Sequence, residues 1–239
     1  MMSSPTSCSK KEYEVIRKLD LDSLTPSIEN GGGVFAVIGS MCTGKSTLVK
    51  SILEATKNMF SQGTFINNSP TKYDGVLTKT DIFYEFDKSI INEFIERQKV
   101  LNSEFFIERQ RMLNSEKNPN HRACIVLDDC MVEENFRETE LKSLIINGRH
   151  WNITTFVVMQ YTSDIHPCIR TSFQGVFVFP NSNKSIHKKI WEQYAGCIPE
   201  FSQFCEILNS LPAYTALFID NRGMVDKWQD RIFQYTATL

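Results

Sequence analysis

Lys45 and Ser46 close the run Gly39-Ser40-Met41-Cys42-Thr43-Gly44, and far along the chain Asp128 stands directly before Asp129. An amine, a hydroxyl and two adjacent carboxylates are the groups that phosphate chemistry with a divalent cation requires. Gly39 and Gly44 let a loop curl so that its backbone N–H groups converge on a phosphate. Lys45 can then reach the β and γ oxygens, and the Ser46 hydroxyl can bind Mg²⁺. Gly39 to Thr47 is therefore expected to hold the phosphates of ATP, as a Walker A loop does. Asp128 is expected to hold Mg²⁺ with Ser46, and Asp129 to polarise an attacking water as a general base. Gln160 follows the apolar run Thr154–Met159, where a carboxamide could sense the γ-phosphate or orient the water.

These residues need elements that place them. A glycine turn is common, but this one lies between the β-rich run Val34–Ile38 and the helical stretch Thr47–Leu53. That helix would turn its partially positive N-terminus toward the phosphate. Ala123–Leu127 reads as a buried strand, and a carboxylate at its C-terminal end lies where ligands bind in open α/β sheets. Asp-Asp is also a good turn former, and it is the Walker A loop that favours the metal reading. Further strands are expected at Thr64–Asn67, Thr154–Met159, Gly175–Phe179 and Thr215–Ile219. Helices are expected over 90–115, Glu134–Ile146, Ser185–Tyr194 and Glu200–Leu208. Apolar strands alternating with helices predict an α/β fold, a P-loop NTPase with a mainly parallel sheet and helices on both faces. The stretch between Lys45 and Asp128 has room for an additional strand and a long helix. It predicts that another strand separates the two phosphate-site strands, as in the ATPase branch of these folds. No Asn-Lys-x-Asp guanine-reading motif occurs, since Asn183-Lys184 is followed by Ser185-Ile186.

The 239 residues suit one domain over 31–239, preceded by a polar lead-in over 1–30 with one short element around Tyr13–Leu24. A helical insert at about 90–116 carries a tandem copy: Phe94–Glu104 recurs as Phe106–Glu116 with small changes. A twelve-residue period does not keep one helical face in phase, so the copy reads as a lengthened, solvated surface helix. A net charge of −2 argues against tight nucleic-acid binding by a lone monomer. It leaves open a ring that lines a channel with a few basic residues per subunit. The seven cysteines lack metal-type spacing and suit reduced thiols. The N-terminus has no secretory h-region, and no apolar stretch approaches the ~20 residues of a transmembrane helix.

Leu144 to Thr154, with Asn147-Gly148-Arg149-His150, then the Gln160-Tyr161 strand end, Pro167–Ser172, Gly175–Phe179, Tyr194–Phe204 and Phe218–Asn221 resemble one group. They are similar to the genome-packaging ATPases of nucleocytoplasmic large DNA viruses, the poxvirus-type virion packaging ATPase of the FtsK–HerA superfamily. The resemblance covers roughly residues 31 to 221. It implies ATP hydrolysis with Mg²⁺, a homo-oligomeric ring that is commonly a hexamer, and non-specific pumping of double-stranded DNA into a capsid. It also implies action at the viral assembly site in the host cytoplasm and in the virion, with capsid or inner-membrane virion proteins as partners. By position it makes Lys45, Asp128, Asp129 and Gln160 the hydrolytic set. Arg149 is the implied arginine finger, reaching a neighbouring subunit's site from the sheet's ligand edge, and Arg170 is the second candidate. The chain departs from the wider superfamily in placing Asp129 where Glu is frequent. Two other readings of the same loop are a non-motor ATP-binding scaffold or switch and a small-molecule phosphotransferase.

Overall fold

In the computed structural model, the described residues are 16–67, 73–103, 107–108, 121–129, 135–160, 165–223 and 225–238. Their elements run in chain order. After a 3-10 turn at Leu21–Leu24 come α1 (Thr25–Glu29), β1 (Val34–Ile38), α2 (Lys45–Thr56), β2 (Gln62–Asn67), β3 (Thr80–Phe83) and α3 (Lys88–Leu101). There follow β4 (Ala123–Asp128), α4 (Thr139–Asn147), β5 (Ile153–Met159), α5 (Pro167–Arg170) and β6 (Gly175–Val178). The chain continues with α6 (Lys184–Tyr194), α7 (Phe201–Ser210), β7 (Thr215–Asp220) and β8 (Ile232–Thr236).

The described strands form one sheet in the order β3-β2-β4-β5-β1-β6-β7-β8. Strands β3 through β6 are mutually parallel, whereas β7 runs antiparallel to both β6 and β8. Alternate side chains of β1 feed two cores, because successive residues of a strand point to opposite faces. Val34, Ala36 and Ile38 join Leu141 and Leu144 of α4 and Phe204 of α7 on one face. Phe35 and Val37 join Leu48 and Ile52 of α2 on the other. Both faces are thus covered, as the continuous apolar runs require.

The predicted α/β class stands, with three changes. The strand between β1 and β4 is β5, which follows Asp128 in sequence; β2, from the earlier stretch, lies on the far side of β4. The Thr215 strand is antiparallel, and β3 and β8 are added at the two edges. Residues 16–30 are tied to the domain: Leu24 and Ile28 are fully buried, and Leu19 N–H donates to the Gln234 carbonyl. α3 starts at an Asp87 cap, whose side chain accepts from the Ser89 amide, and ends at Leu101. The second copy of the repeat lies largely outside the described residues.

Candidate nucleotide site

β1 ends at Ile38 and delivers the loop Gly39–Gly44 to the edge of the sheet where the parallel strands finish. Gly39 is held by close approach, since a Cβ there would lie 2.7 Å from Thr43 Oγ1 and 2.8 Å from Phe179 Cβ. Gly44 has φ 99° and caps α2 without a side chain. The first-turn N–H groups of α2 therefore have no competing side-chain acceptor, which suits an anion. The loop is braced from within, with Thr43 Oγ1 donating to the Ser40 carbonyl at 2.9 Å and Lys45 Nζ to the same carbonyl at 3.0 Å. Asn181, beyond β6, braces it from outside by donating Nδ2–H to Ser40 Oγ at 2.6 Å. The Asn181 amide in turn donates to Nε2 of the buried His187 at 3.1 Å. Burial holds the His187 pKa below its ordinary value, in keeping with an imidazole that accepts.

β4 brings the acidic pair alongside. Asp128 is fully buried, and its Oδ2 accepts from Ser46 Oγ at 2.7 Å. The same oxygen accepts from the Tyr73 hydroxyl at 2.9 Å. Tyr73 is itself fully buried and stacked on Phe65 with centroids 4.9 Å apart. Burial first, and the Asp128 charge second, raise its pKa well above the ordinary phenol value, so it remains a donor. Asp129 turns away from Asp128 because its backbone adopts φ 55°, a region Asp tolerates better than most residues. Its carboxylate lies 3.9 Å from Lys45 Nζ and lines the open cavity over the loop. Gln160, just past β5, donates to Asp129 Oδ1 at 3.5 Å. Neighbouring carboxylates thus occupy different environments: Asp128 faces a hydroxyl pair inside, and Asp129 faces the cavity.

That cavity measures about 830 Å³. One side is the loop, from Met41 to Thr47. The other is built by Ala213 and Tyr214 before β7 and by Thr236 and Ala237 at the end of β8. The antiparallel reversal explains the second side, since β7 begins and β8 ends at the edge where β1, β4 and β5 finish.

The structure brings Gly39–Thr47, Asp128, Asp129 and Gln160 together and does not bring Arg149 with them. Arg149 lies between α4 and β5, in the 3-10 turn Gly148–Trp151. Residues that precede a parallel strand sit at its starting edge, and the Arg149 carbonyl packs against Gly31, just before β1. The expected position at the ligand edge is therefore corrected. A strand of β1's length separates the two edges by roughly 15–20 Å. Arg149 is exposed. Arg170 ends α5 shortly before β6 begins, away from the loop, and borders a separate cavity with Glu192 and Asn221.

Tyr73, Asn181 and Tyr214 were not legible as site residues. Each is a lone polar or aromatic residue in a connecting segment, and only the sheet order carries it to the loop. Among the described residues no helix is long and apolar enough to cross a membrane.

No family profile matches the chain. Uncharacterized protein 088R of Invertebrate iridescent virus 3 is 33% identical over 233 residues, 93% of this chain and 84% of that protein. Uncharacterized protein 015R of Frog virus 3 is 30% identical over 235 residues, 95% of this chain and 70% of that protein. Among solved structures, the genome packaging NTPase B204 of Sulfolobus turreted icosahedral virus 2, in complex with AMP, superposes with TM-score 0.61 at 12% identity. It matches 88% of this chain and 100% of that one. The pCW3 conjugation coupling protein TcpA, in its monomer form with ATPγS, gives TM-score 0.60 at 12% identity over 87% of this chain and 60% of that one. Identity this low speaks for the fold alone, whereas the two viral relatives match along nearly the whole chain. The chain belongs to the large-DNA-virus protein family of 088R and 015R, and it has the P-loop fold of the viral genome packaging NTPases.

Proposed function

We propose that the chain is a Mg²⁺-dependent ATPase that drives viral double-stranded DNA into a capsid during virion assembly, working as a homo-oligomeric ring. The observation that carries the hydrolytic part is the division between Asp128 and Asp129. One carboxylate is buried against Ser46 and Tyr73, and the other lines the cavity beside Lys45 and Gln160. The pair of Ser46 Oγ and Asp128 Oδ2 is a hard oxygen donor set of the kind Mg²⁺ takes. Mg²⁺ held there would neutralise charge on the β and γ phosphates.

The remaining steps belong to the chain. The loop amides and Lys45, released from the Ser40 carbonyl, bind the triphosphate. Asp129 accepts a proton from the attacking water, and Gln160 orients that carboxylate and the water. Ser46 and Tyr73 hold Asp128 in place through its Oδ2. Arg149 is proposed to act in trans, since it is exposed at the opposite edge and no ion pair holds it among the described residues.

The motor part rests on the fold shared with B204 and on the resemblance of the Asn147–His150 and Gln160 segments to packaging ATPases. A chain of net charge −2 offers few phosphate contacts per subunit, so DNA binding should be weak for a monomer, non-specific and steeply salt-dependent. The test is ATP turnover with and without long double-stranded DNA, together with the mass of the assembly with nucleotide bound. Stimulation by DNA in an oligomer supports the motor. Turnover indifferent to DNA would point to a switch or a phosphotransferase. Lys45→Ala, which removes a preorganised donor to the phosphates, should lower turnover on the order of 10²–10³-fold; near-normal turnover would remove the site from this loop.

A further inference from the structure

We propose that Tyr214 is the platform on which the base of the bound nucleotide stacks, a role that rests on the nucleotide-binding reading above. A nucleotide whose phosphates lie in the loop must place its base somewhere along the same cavity, and a base is recognised by a flat apolar face. Tyr214 supplies one. Its side chain is 68% exposed, unusual for an aromatic residue with a core so close by, and it borders the cavity. A Cβ built on Gly44 would lie 3.4 Å from Tyr214 Cδ1, so the ring hangs over the last turn of the phosphate loop.

The ring is held there by the fold. Tyr214 has φ 60°, a left-handed conformation that a bulky residue seldom adopts. Strain of that kind persists where the surroundings impose it, and it gathers at ligand sites. The surroundings here are tight. Thr215 N–H donates to the Pro212 carbonyl at 3.2 Å, closing the turn that carries the tyrosine. Thr215 Oγ1 and Thr236 Oγ1 share a hydrogen bond of 2.7 Å, which fastens the start of β7 to the end of β8. Ser51 Oγ of α2 bonds the Tyr235 hydroxyl at 2.9 Å and Thr238 Oγ1 at 3.2 Å, fastening β8 to the loop's own helix. Met41, 72% exposed, borders the same cavity on the loop side. Two exposed apolar side chains thus border one opening, with Ala213 and Ala237 beside them.

The experiment compares wild type, Tyr214→Ala and Tyr214→Trp by calorimetric titration with two Mg²⁺-loaded probes: a non-hydrolysable ATP analogue and inorganic tripolyphosphate, which has no base. Tyr214→Ala should weaken the ATP analogue on the order of tenfold, as loss of one base–aromatic stack does. It should leave tripolyphosphate within about twofold. Tyr214→Trp should restore the analogue's affinity. An unchanged affinity for the analogue in Tyr214→Ala would overturn the platform, including the case in which only assembly changes. So would equal losses for both probes, which would make Tyr214 a brace of the loop. A wild type that binds neither probe would defeat the nucleotide reading itself, a result distinct from the other two.

Discussion

The two edges of the sheet differ in how their charged groups are held. At the edge where the parallel strands end, Lys45, Ser46, Asp128, Asp129 and Gln160 are mutually engaged, with separations from 2.7 to 3.9 Å. At the edge where they begin, Arg149 stands exposed, and it forms no ion pair among the described residues. The ending edge has acids, an amine and a carboxamide beside a cavity of about 830 Å³, and no arginine is among the described residues that line it. The other has an arginine but no phosphate loop. A transferring phosphoryl group builds up negative charge that a guanidinium stabilises. The comparison teaches that a finger role for Arg149 requires a second copy of the chain, because within one copy it lies at the edge opposite the phosphate loop.

Within one copy, the largest effect should come from the acidic pair. Asp129→Asn should lower turnover by about 10²–10⁴-fold, the usual worth of a positioned base, while still binding MgATP. Asp128→Asn should instead weaken Mg²⁺-dependent binding, because the Ser46 and Tyr73 hydroxyls lose their charged acceptor. Nucleotide titrations of both variants check this; equal losses of affinity would erase the distinction between an inner and an outer carboxylate.

A smaller effect is expected at Tyr73. Tyr73→Phe keeps the stack on Phe65 and removes one donor to Asp128. Groups that orient a metal ligand are worth on the order of 10–100-fold in metal affinity or activity. The Mg²⁺ concentration for half-maximal turnover should rise on the order of tenfold, with an unchanged melting temperature. A curve that superposes on wild type would show that Ser46 alone fixes Asp128.

The smallest effect is on stability. His187 and His121 both have pKa values lowered by burial, so the folded state favours their neutral forms. Their contribution is present above the ordinary value of 6.5 and is lost as pH falls through the lowered values. Between about pH 7.5 and pH 5.5 the melting temperature should therefore fall, as read in thermal melts at the two pH values. His187→Gln should flatten part of that slope. An equal slope would mean that the Asn181–His187 contact bracing Ser40 does not depend on the neutral imidazole.

Much of the ligand edge was legible because it is contiguous: a strand, a glycine loop and a helix follow one another from Val34 to Leu53. The strands carrying Asp128 and Gln160 showed themselves as buried apolar runs. The sheet margins did not. β3 reads Thr-Asp-Ile-Phe and is only partly buried, so it has no apolar run. β8 reads Ile-Phe-Gln-Tyr-Thr, of which only Ile232 and Tyr235 are buried, so it too lacks a continuous apolar run. An apolar run reports burial and not direction, which is why β7 looked parallel. Arg149 was misplaced for a different reason, since its position just before β5 requires the starting edge. Tyr73, Asn181 and Tyr214 meet the loop only through the order of strands, which local pattern does not encode.

The central claim is a site shared between copies, and it is tested most directly by mixing two inactive variants. Lys45→Ala lacks a working loop but keeps Arg149, and Arg149→Ala keeps the loop but lacks the guanidinium. Arg149→Ala alone should bind ATP and lose most hydrolysis, on the scale of the ~10³–10⁵-fold measured for arginine fingers. The two purified variants are titrated against each other at fixed total protein, with co-assembly verified by mass, and phosphate release is read. The account predicts recovered turnover at intermediate ratios, where intact loops face intact arginines. Co-assembled mixtures that stay inactive at every ratio would contradict it.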